Sequence, residues 1–531
     1  MFFRSLIAGL LALLFSLAPA FAESVLNRGN VAEPGTLDPQ KYSTTYEQEI
    51  MRDLFEGLMT VDAQANPIAG AAESWTISPD GHVYTFKLRD GLVWSDGRAM
   101  TAADFAFGIK RAIDPKTHSW FASQVYKIKN AKAVNEGKMP LDTLGVSAPD
   151  ARTVVIELSE PSPILLRLLT LAFMMPAPKH VIDAHPTDWS RPGIMVTNGA
   201  FVLSEWRPND HIKIVKNPRY RLANSVRLDA VNYFPTEDDA AAVKRLRTGD
   251  IDLNMRFPPN EIDQLRKTLP PGTVRVSQSI GINYLVPNFK KPPFNDARVR
   301  RAMSLAIDRE SIVGRILRNG ELPDYGLSPP GLPGYEPPLM DFKGRTLADR
   351  QAEARKLLAT AGYSAAKPLA FELSHRAGLA NKRSAIAVAN MLKAVGMNVT
   401  LLATEVTAHY NKLRVGEFAV ADAGWFGNMD PEYYTYLVLS GSTEANYGSY
   451  SNPAFDAKAL EAQRTMDLAK RMQLFREAET IALADNAIIP VNIYVNRDLV
   501  APYVKGWVDN PLDFHASRFL WIDKTGATAK R

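Results

Sequence analysis

The sequence predicts an α/β protein of two or three domains. Short alternating runs such as His211–Lys216 and 369–373 interleave with amphipathic runs such as 296–307 and 382–395, the pattern of strands crossed over by helices. A chain of 531 residues is too long for a single core. Its 46% apolar and 22% charged content is that of an ordinary globular protein. Alternation of this kind also predicts a mostly parallel sheet.

Met1-Phe2-Phe3-Arg4 is a short basic start, residues 5–18 are an apolar run, and Ala20-Phe21-Ala22 is a small-x-small cleavage site. Residues 1–22 therefore read as an export signal, with Glu23 the expected start of the mature chain. No Cys follows the apolar run, so lipid attachment is excluded and an exported, soluble product is expected. The absence of Cys from the whole sequence also excludes disulfides, thiol nucleophiles and thiolate metal sites. The core of so large a chain can do without disulfides. The net charge is +5, but acidic and basic residues alternate without a run of like charges, which argues against a nucleic-acid partner.

Residues 24–30 form a strand candidate, followed by the loop Pro34-Gly35-Thr36-Leu37-Asp38-Pro39. Helical spacing over 46–58 puts Ile50, Leu54 and Leu58 on one face. Pro79-Asp80-Gly81 is a turn, because Pro presets φ and Gly tolerates positive φ. Residues 82–88 alternate as a half-buried strand does, and Thr101 caps a helix running to about residue 112. Residues 200–206 and 211–216 read as strands, and 238–248 as a helix with Ala241, Val243 and Leu246 facing in. Further on, helices at 296–307, 348–361 and 382–395 alternate with strands at 369–373 and 398–402.

The chain's chemistry converges on Ala423-Gly424-Trp425-Phe426-Gly427-Asn428-Met429-Asp430-Pro431. A strand-like run at 417–421 leads into it and a helix-compatible run at 432–437 follows. The glycines permit close backbone approach, and Trp425 and Phe426 offer flat apolar walls. A strand ending here could present main-chain groups to a ligand; the alternative is an ordinary strand-turn-helix corner. Catalytic signals are missing. The eight His residues show no metal-ligand spacing, and neither a Gly-x-Ser-x-Gly elbow nor a phosphate-binding loop is present. Asp422, Asp430 and Glu432 resemble an acid/base set, but carboxylates near a strand end are more often solvated or ion-paired.

Residues 73–97, ESWTISPDGHVYTFKLRDGLVWSDG, resemble the signature of the family 5 extracellular solute-binding proteins, the periplasmic receptors of oligopeptide, dipeptide and nickel ABC importers. The resemblance extends along nearly the whole chain, through residues 33–39, Asn198-Gly199-Ala200-Phe201 with Trp206, Asn217-Pro218-Arg219-Tyr220, Gly249-Asp250-Ile251-Asp252, residues 293–302 and Ile489-Pro490-Val491. Arg52-Asp53-Leu54-Phe55-Glu56-Gly57-Leu58 and Tyr325-Gly326-Leu327-Ser328-Pro329-Pro330 resemble the oligopeptide-binding branch.

The resemblance implies a periplasmic-binding-protein-like fold of two lobes with an additional inserted domain. Domain I would comprise residues 23–55, 180–281 and 497–531, domain II residues 56–179, and domain III residues 282–496. The implied function is a periplasmic receptor that captures a peptide or peptide-like solute between closing lobes and delivers it to the membrane permease of an ABC importer. The expected molecule is a monomer without cofactor or metal. The alternative is a same-fold receptor for a solute that is not a peptide or lacks an amine, such as an amino-acid conjugate, a sugar derivative or a murein peptide fragment; an exported hydrolase comes third.

Ligand-binding positions implied by the resemblance are Thr44, Thr45, Asn381, Val406, Asp422, Gly424, Trp425, Phe426, Asn428 and Asp430. Gly424–Phe426 and a Thr44-Thr45 strand would pair with a peptide backbone from opposite sides. Three positions depart from the peptide pattern. Asn428 stands where relatives carry the Asp that meets an α-ammonium, and Asp430 is a substitute for it two residues on. Asp422 is an acid where relatives have a base, leaving Lys382, Arg383 and Arg414 as alternatives. Val406 replaces a pocket Trp.

Overall fold

The computed structural model describes residues 23–364 and 366–523; the expected export signal at 1–22 lies outside them. One sheet of eleven strands organises the described chain. From one edge its order is Met397–Thr404, Leu369–Arg376, Val420–Phe426, Val274–Pro287, Ile489–Val500, Leu253–Asn254, Val25–Asn30, Ala230–Pro235, His211–Lys216 and Phe201–Arg207. Leu322–Pro323 pairs off this path with Ile489–Val500.

The expectation of a mostly parallel sheet is corrected. Val25–Asn30 is parallel to both its neighbours, and so is Leu369–Arg376, because helical crossovers return the chain to the same end. The hairpin at 201–216 and every pairing of Val274–Pro287 and Ile489–Val500 are antiparallel. Those two long strands run through the middle of the sheet in opposite directions, so strands paired with them are antiparallel wherever they run toward the centre. One consequence is geometric: Phe426 at the end of its strand pairs with Gly281, and Asn254 at the end of its strand pairs with Leu499. The carboxyl ends of the parallel strands on both sides therefore point at the same central region.

Buried apolar side chains gather into two large clusters on either side of that region. One draws on residues 26–253 and again on 500–520; the other draws on residues 280–493. The first also encloses a separate antiparallel sheet of Ala72–Ile77, Val83–Leu88, Thr153–Glu157 and Val146–Asp150. A smaller cluster holds Val243, Phe257, Ile262, Leu265, Leu269 and Leu499.

The local signals mostly appear where the residue types require them. Asp296 caps the helix Ala297–Ala306, accepting from the Arg298 N–H, and Asp238 caps Asp239–Thr248, accepting from Ala241. In the latter helix Ala242 and Val243 are buried while Ala241 is exposed, so the expected inward face is rotated by one residue. The helix read over 46–58 is Thr45–Leu54, and its Thr44 cap forms a reciprocal box with Glu47. Thr44-Thr45 is thus a helix start and not a strand, a correction considered below with the site. Deeper in this lobe, Arg28 donates to Ser517 Oγ and the His515 carbonyl, both at 2.9 Å, and Asp53 accepts from the Ser517 N–H at 2.8 Å. These buried bonds fasten the C-terminal segment to the first strand and helix.

Two carboxyls in the second cluster are titration anomalies. Burial raises Asp324 to about 7 and Glu479 to about 8, the latter despite a hydrogen bond from Ser328. A carboxyl whose pKa is higher folded than unfolded binds its proton more tightly in the folded state. Its stabilising contribution is complete below the ordinary value near 4.5 and is lost as pH rises through about 8. Glu479→Gln should leave the melting temperature nearly unchanged at pH 4 and raise stability by roughly 1–3 kcal/mol at alkaline pH. Thermal unfolding across pH checks this, and an equal shift at both extremes would contradict it.

Candidate functional site

The candidate site is built on the end of Val420–Phe426. The strand is longer than its sequence suggested and runs through Gly424 to Phe426, because Val274–Pro287 pairs with it along its whole length. On its other side Leu369–Arg376 pairs only with Val420 and Ala421. Beyond Ala421 the ladder is open on that side. The chain leaves Leu369–Arg376 toward one edge of the sheet and leaves Val420–Phe426 toward the other, the switch point at which open α/β sheets have their binding crevice.

Two helix residues fill part of the open edge. His409 donates from Nε2 to the Asp422 carbonyl at 2.8 Å. The Tyr410 hydroxyl accepts from the Gly424 N–H at 3.1 Å and donates to its carbonyl at 3.2 Å. Burial lowers the His409 pKa, with Asp422 opposing, so the ring is neutral near pH 7. By the two-residue period of the ladder, Phe426 directs its main-chain groups the same way as Gly424. Phe426 itself is 65% exposed and stacks on Tyr494 at 5.2 Å and 8°.

Gly424 and Gly281 are glycines because of what lies over them. A Cβ on Gly424 would fall 2.6 Å from Arg376 Nη1 and 2.8 Å from the Tyr494 hydroxyl. A Cβ on Gly281 would fall 2.5 Å from the Phe426 ring and 2.7 Å from that of Tyr494. Arg376 is the cation of the site. Its Nε and Nη2 reach Asp422 Oδ2 at 2.9 and 2.8 Å, its N–H reaches Oδ1 at 2.7 Å, and Nη2 also reaches Asn283 at 2.8 Å. Burial works against its charge, but Tyr494 and Asp422 outweigh this and hold its pKa above the ordinary Arg value. Asp422 is therefore the counter-ion of Arg376, not an unopposed acid. Sequence reasoning missed Arg376; its signal was a strand-terminal Arg two residues before Gly378, in register with the strand that carries Asp422.

The turn after the strand behaves differently from expectation. Arg471, 1% exposed, binds both oxygens of Asp430 at 2.6 and 2.8 Å and Glu432 at 2.9 Å. Asp430 is consumed by that fork and is not available as an ammonium anchor. Glu432 also meets Lys127 at 3.3 Å, tying the turn to the inserted region. Asn428 Oδ1 accepts from the Met429 N–H at 2.8 Å. Trp425 lies on the opposite face of the strand from Phe426 and donates to the Tyr433 carbonyl at 2.9 Å, so only Phe426 is a wall of the crevice.

The remaining expected residues are dispersed. Asn381, half-buried, lies in the first turn of Leu379–Lys393, and Val406, 44% exposed, begins Val406–Arg414; both helices follow strands that end at the crevice. Thr44 and Thr45 begin a helix on the other lobe, where Glu47 gathers the Ser43, Gly35 and Thr36 N–H groups. They offer no strand edge. Arg414 bonds Asn411 on its own helix, Arg383 lines a groove with Asp263 and Arg318, and Lys382 is exposed, which fits solvated charges. Asp422, Asp430 and Glu432 are all ion-paired, which removes the apparent acid/base set.

The family described as bacterial extracellular solute-binding proteins, family 5 middle, matches residues 66–447. A periplasmic oligopeptide-binding protein of Escherichia coli (strain K12) is 38% identical over 98% of this chain and 99% of its own length. A probable deoxycholate-binding periplasmic protein of the same organism is 36% identical over 95% of this chain and 94% of its own. Among solved structures, a periplasmic murein tripeptide-binding protein in its unliganded open form superposes with a TM-score of 0.87 at 34% identity, covering 94% of this chain and 98% of that one.

The Arg471 fork yields a direct expectation. Arg471→Met leaves Asp430 in a buried turn without its paired cation, while Glu432 keeps Lys127, and should cost roughly 3–5 kcal/mol of stability. Chemical denaturation measures it, and a loss below about 1 kcal/mol would show that the turn does not depend on the fork.

Proposed function

The chain belongs to the bacterial extracellular solute-binding proteins of family 5, and from that premise we propose that it is the periplasmic receptor of an ABC importer for peptides or peptide-like solutes. One observation carries the reading: the strand Val420–Phe426 ends with an edge that Leu369–Arg376 leaves unpaired beyond Ala421. A ligand that varies in side chains but not in backbone is best held by adding it to such an edge. In the proposed complex the ligand backbone pairs beside Phe426 and displaces the Tyr410 hydroxyl from Gly424. Closing the lobes then shields these hydrogen bonds from water. Similarity to an unliganded open form supports reading the two lobes as apart before binding.

The proposed division places residues 23–55, 180–281 and 497–531 in domain I, 56–179 in domain II and 282–496 in domain III. The two large apolar clusters support its separation of domain III from the rest, while domains I and II share one cluster. The receptor acts as a monomer after export and signal removal, hands its solute to the permease, and performs no chemistry on it. Asn381, Val406, Gly424, Phe426 and Asn428 border the ligand, with Arg376 added to them.

A second reading is favoured by the site's charges. Asp422 and Asp430 are each paired with an arginine and Asn428 is neutral, so an ammonium buried here lacks a counter-charge. Arg376 is matched in charge by Asp422, but its Nη1 borders Gly424 outside that pair and offers an N–H donor to an acid group. The relative described as deoxycholate-binding is one for a solute with a carboxylate and no amine. The preferred ligand is accordingly a peptide-like or other acid whose amine, if present, is not the anchor. Calorimetry with matched free-amine and N-acetylated peptides tests this. Acetylation should change affinity less than about threefold, whereas a loss of roughly 10- to 150-fold would mean a charge-assisted ammonium contact and overturn it.

A further inference from the structure

We propose that Asp498, Asp513 and His515 form a binding site for a single divalent cation of the zinc class, where the C-terminal segment crosses the central strands. Asp498 stands on Ile489–Val500 opposite Arg275, away from the crevice residues described above. Its side chain is 1% exposed, and its Oδ1 has no hydrogen-bond partner among the described residues. A carboxylate oxygen of Asp498, one of Asp513 and a ring nitrogen of His515 all lie within 4.8 Å of one another. That span is close to twice a zinc–ligand bond of about 2.1 Å, so small side-chain rotations bring the three atoms onto one ion.

The surroundings hold these groups in place. His515 Nε2 is 3.0 Å from Asp513 Oδ1, and its ring stacks on Trp507 at 3.5 Å and 19°. The main chain of His515 is gripped from behind by Arg28 at 2.9 Å and Glu49 at 3.4 Å. Of the two nearby guanidiniums, Arg275 forms a two-pronged pair with Asp509 at 2.6 and 2.9 Å, and Arg497 interacts first with Glu321. A buried carboxylate without a partner is costly, and it is answered by a proton or by a metal. One imidazole with two carboxylates is a donor set for zinc or manganese; calcium and magnesium require more oxygens. No linear motif announces the site, because Asp498 lies on a strand and the other two on a loop beyond it.

A bound cation would pin the C-terminal segment to the strand that joins the lobes. The same segment accepts a hydrogen bond from Ile280 at its Pro511 carbonyl, 3.2 Å away, so the cation would stiffen the connection around which the lobes move. The test uses tag-free protein stripped with a chelator and titrated with ZnCl2 alone, followed by calorimetry, with MgCl2 as the control. We expect saturation at one equivalent of zinc, with affinity falling by about tenfold or more in both Asp498→Asn and His515→Gln, each with a native circular-dichroism spectrum. If Asp498→Asn does not fold, His515→Gln decides. No saturable uptake, uptake unchanged by the substitutions, or equal saturation by magnesium would overturn the proposal. A rise in melting temperature for Asp498→Asn, in a protein that takes up no zinc, would show that a proton answers the carboxylate instead.

Discussion

Hydrogen-bonded continuity through two central strands is the constraint on which the molecule depends. Val274–Pro287 and Ile489–Val500 pair with each other along most of their length, and the pairing shifts register between Gln278 and Ile282. An irregularity there lets the sheet bend without losing its ladder. Because strands paired with these two must run antiparallel to them, the carboxyl ends of strands in both lobes face the same gap. Gly281 lies at the shift, and the Phe426–Tyr494 stack occupies the space a side chain would need. The register shift and the exposed ring at the strand end thus involve neighbouring residues.

Around this frame Asp422, Asp430 and Glu432 each face a basic side chain. Arg376 spends two of its nitrogens on Asp422 and keeps a third beside Gly424. Arg471 does the equivalent for Asp430 and Glu432, deeper in the lobe. A buried pair of this kind contributes little net stability, yet breaking it is expensive, so it fixes geometry more than it adds energy. What remains at the strand end is main chain, an exposed aromatic ring and one cationic edge, a combination that suits a backbone with an acidic group.

The α/β class, the order of helices and strands and the position of the central stretch were legible in the residues, since caps such as Asp296 and Asp238 and the alternation of His211–Lys216 are local signals. What was not legible depends on partners distant in sequence. The length of Val420–Phe426 is set by Val274–Pro287, well over a hundred residues earlier. The resemblance implied a Thr44-Thr45 strand, but Glu47, three residues after Thr44, completes a capping box and a helix starts there. Asp430 was read as a substitute anchor from its place two residues after Asn428; Arg471 arrives from a helix forty-one residues on. Arg376 was overlooked for the same reason in reverse, since its importance comes from the register that puts it beside Asp422 and Gly424.

Hydrogen exchange read by mass spectrometry, on protein stripped of ligand and then saturated with a bound peptide-like acid, tests the central claim most directly. The account predicts that the amides of 424–428 gain protection together with those of the facing loop at 31–44, as the strand edge is filled and the lobes close over it. Protection gained elsewhere while 424–428 exchanges as before would contradict it.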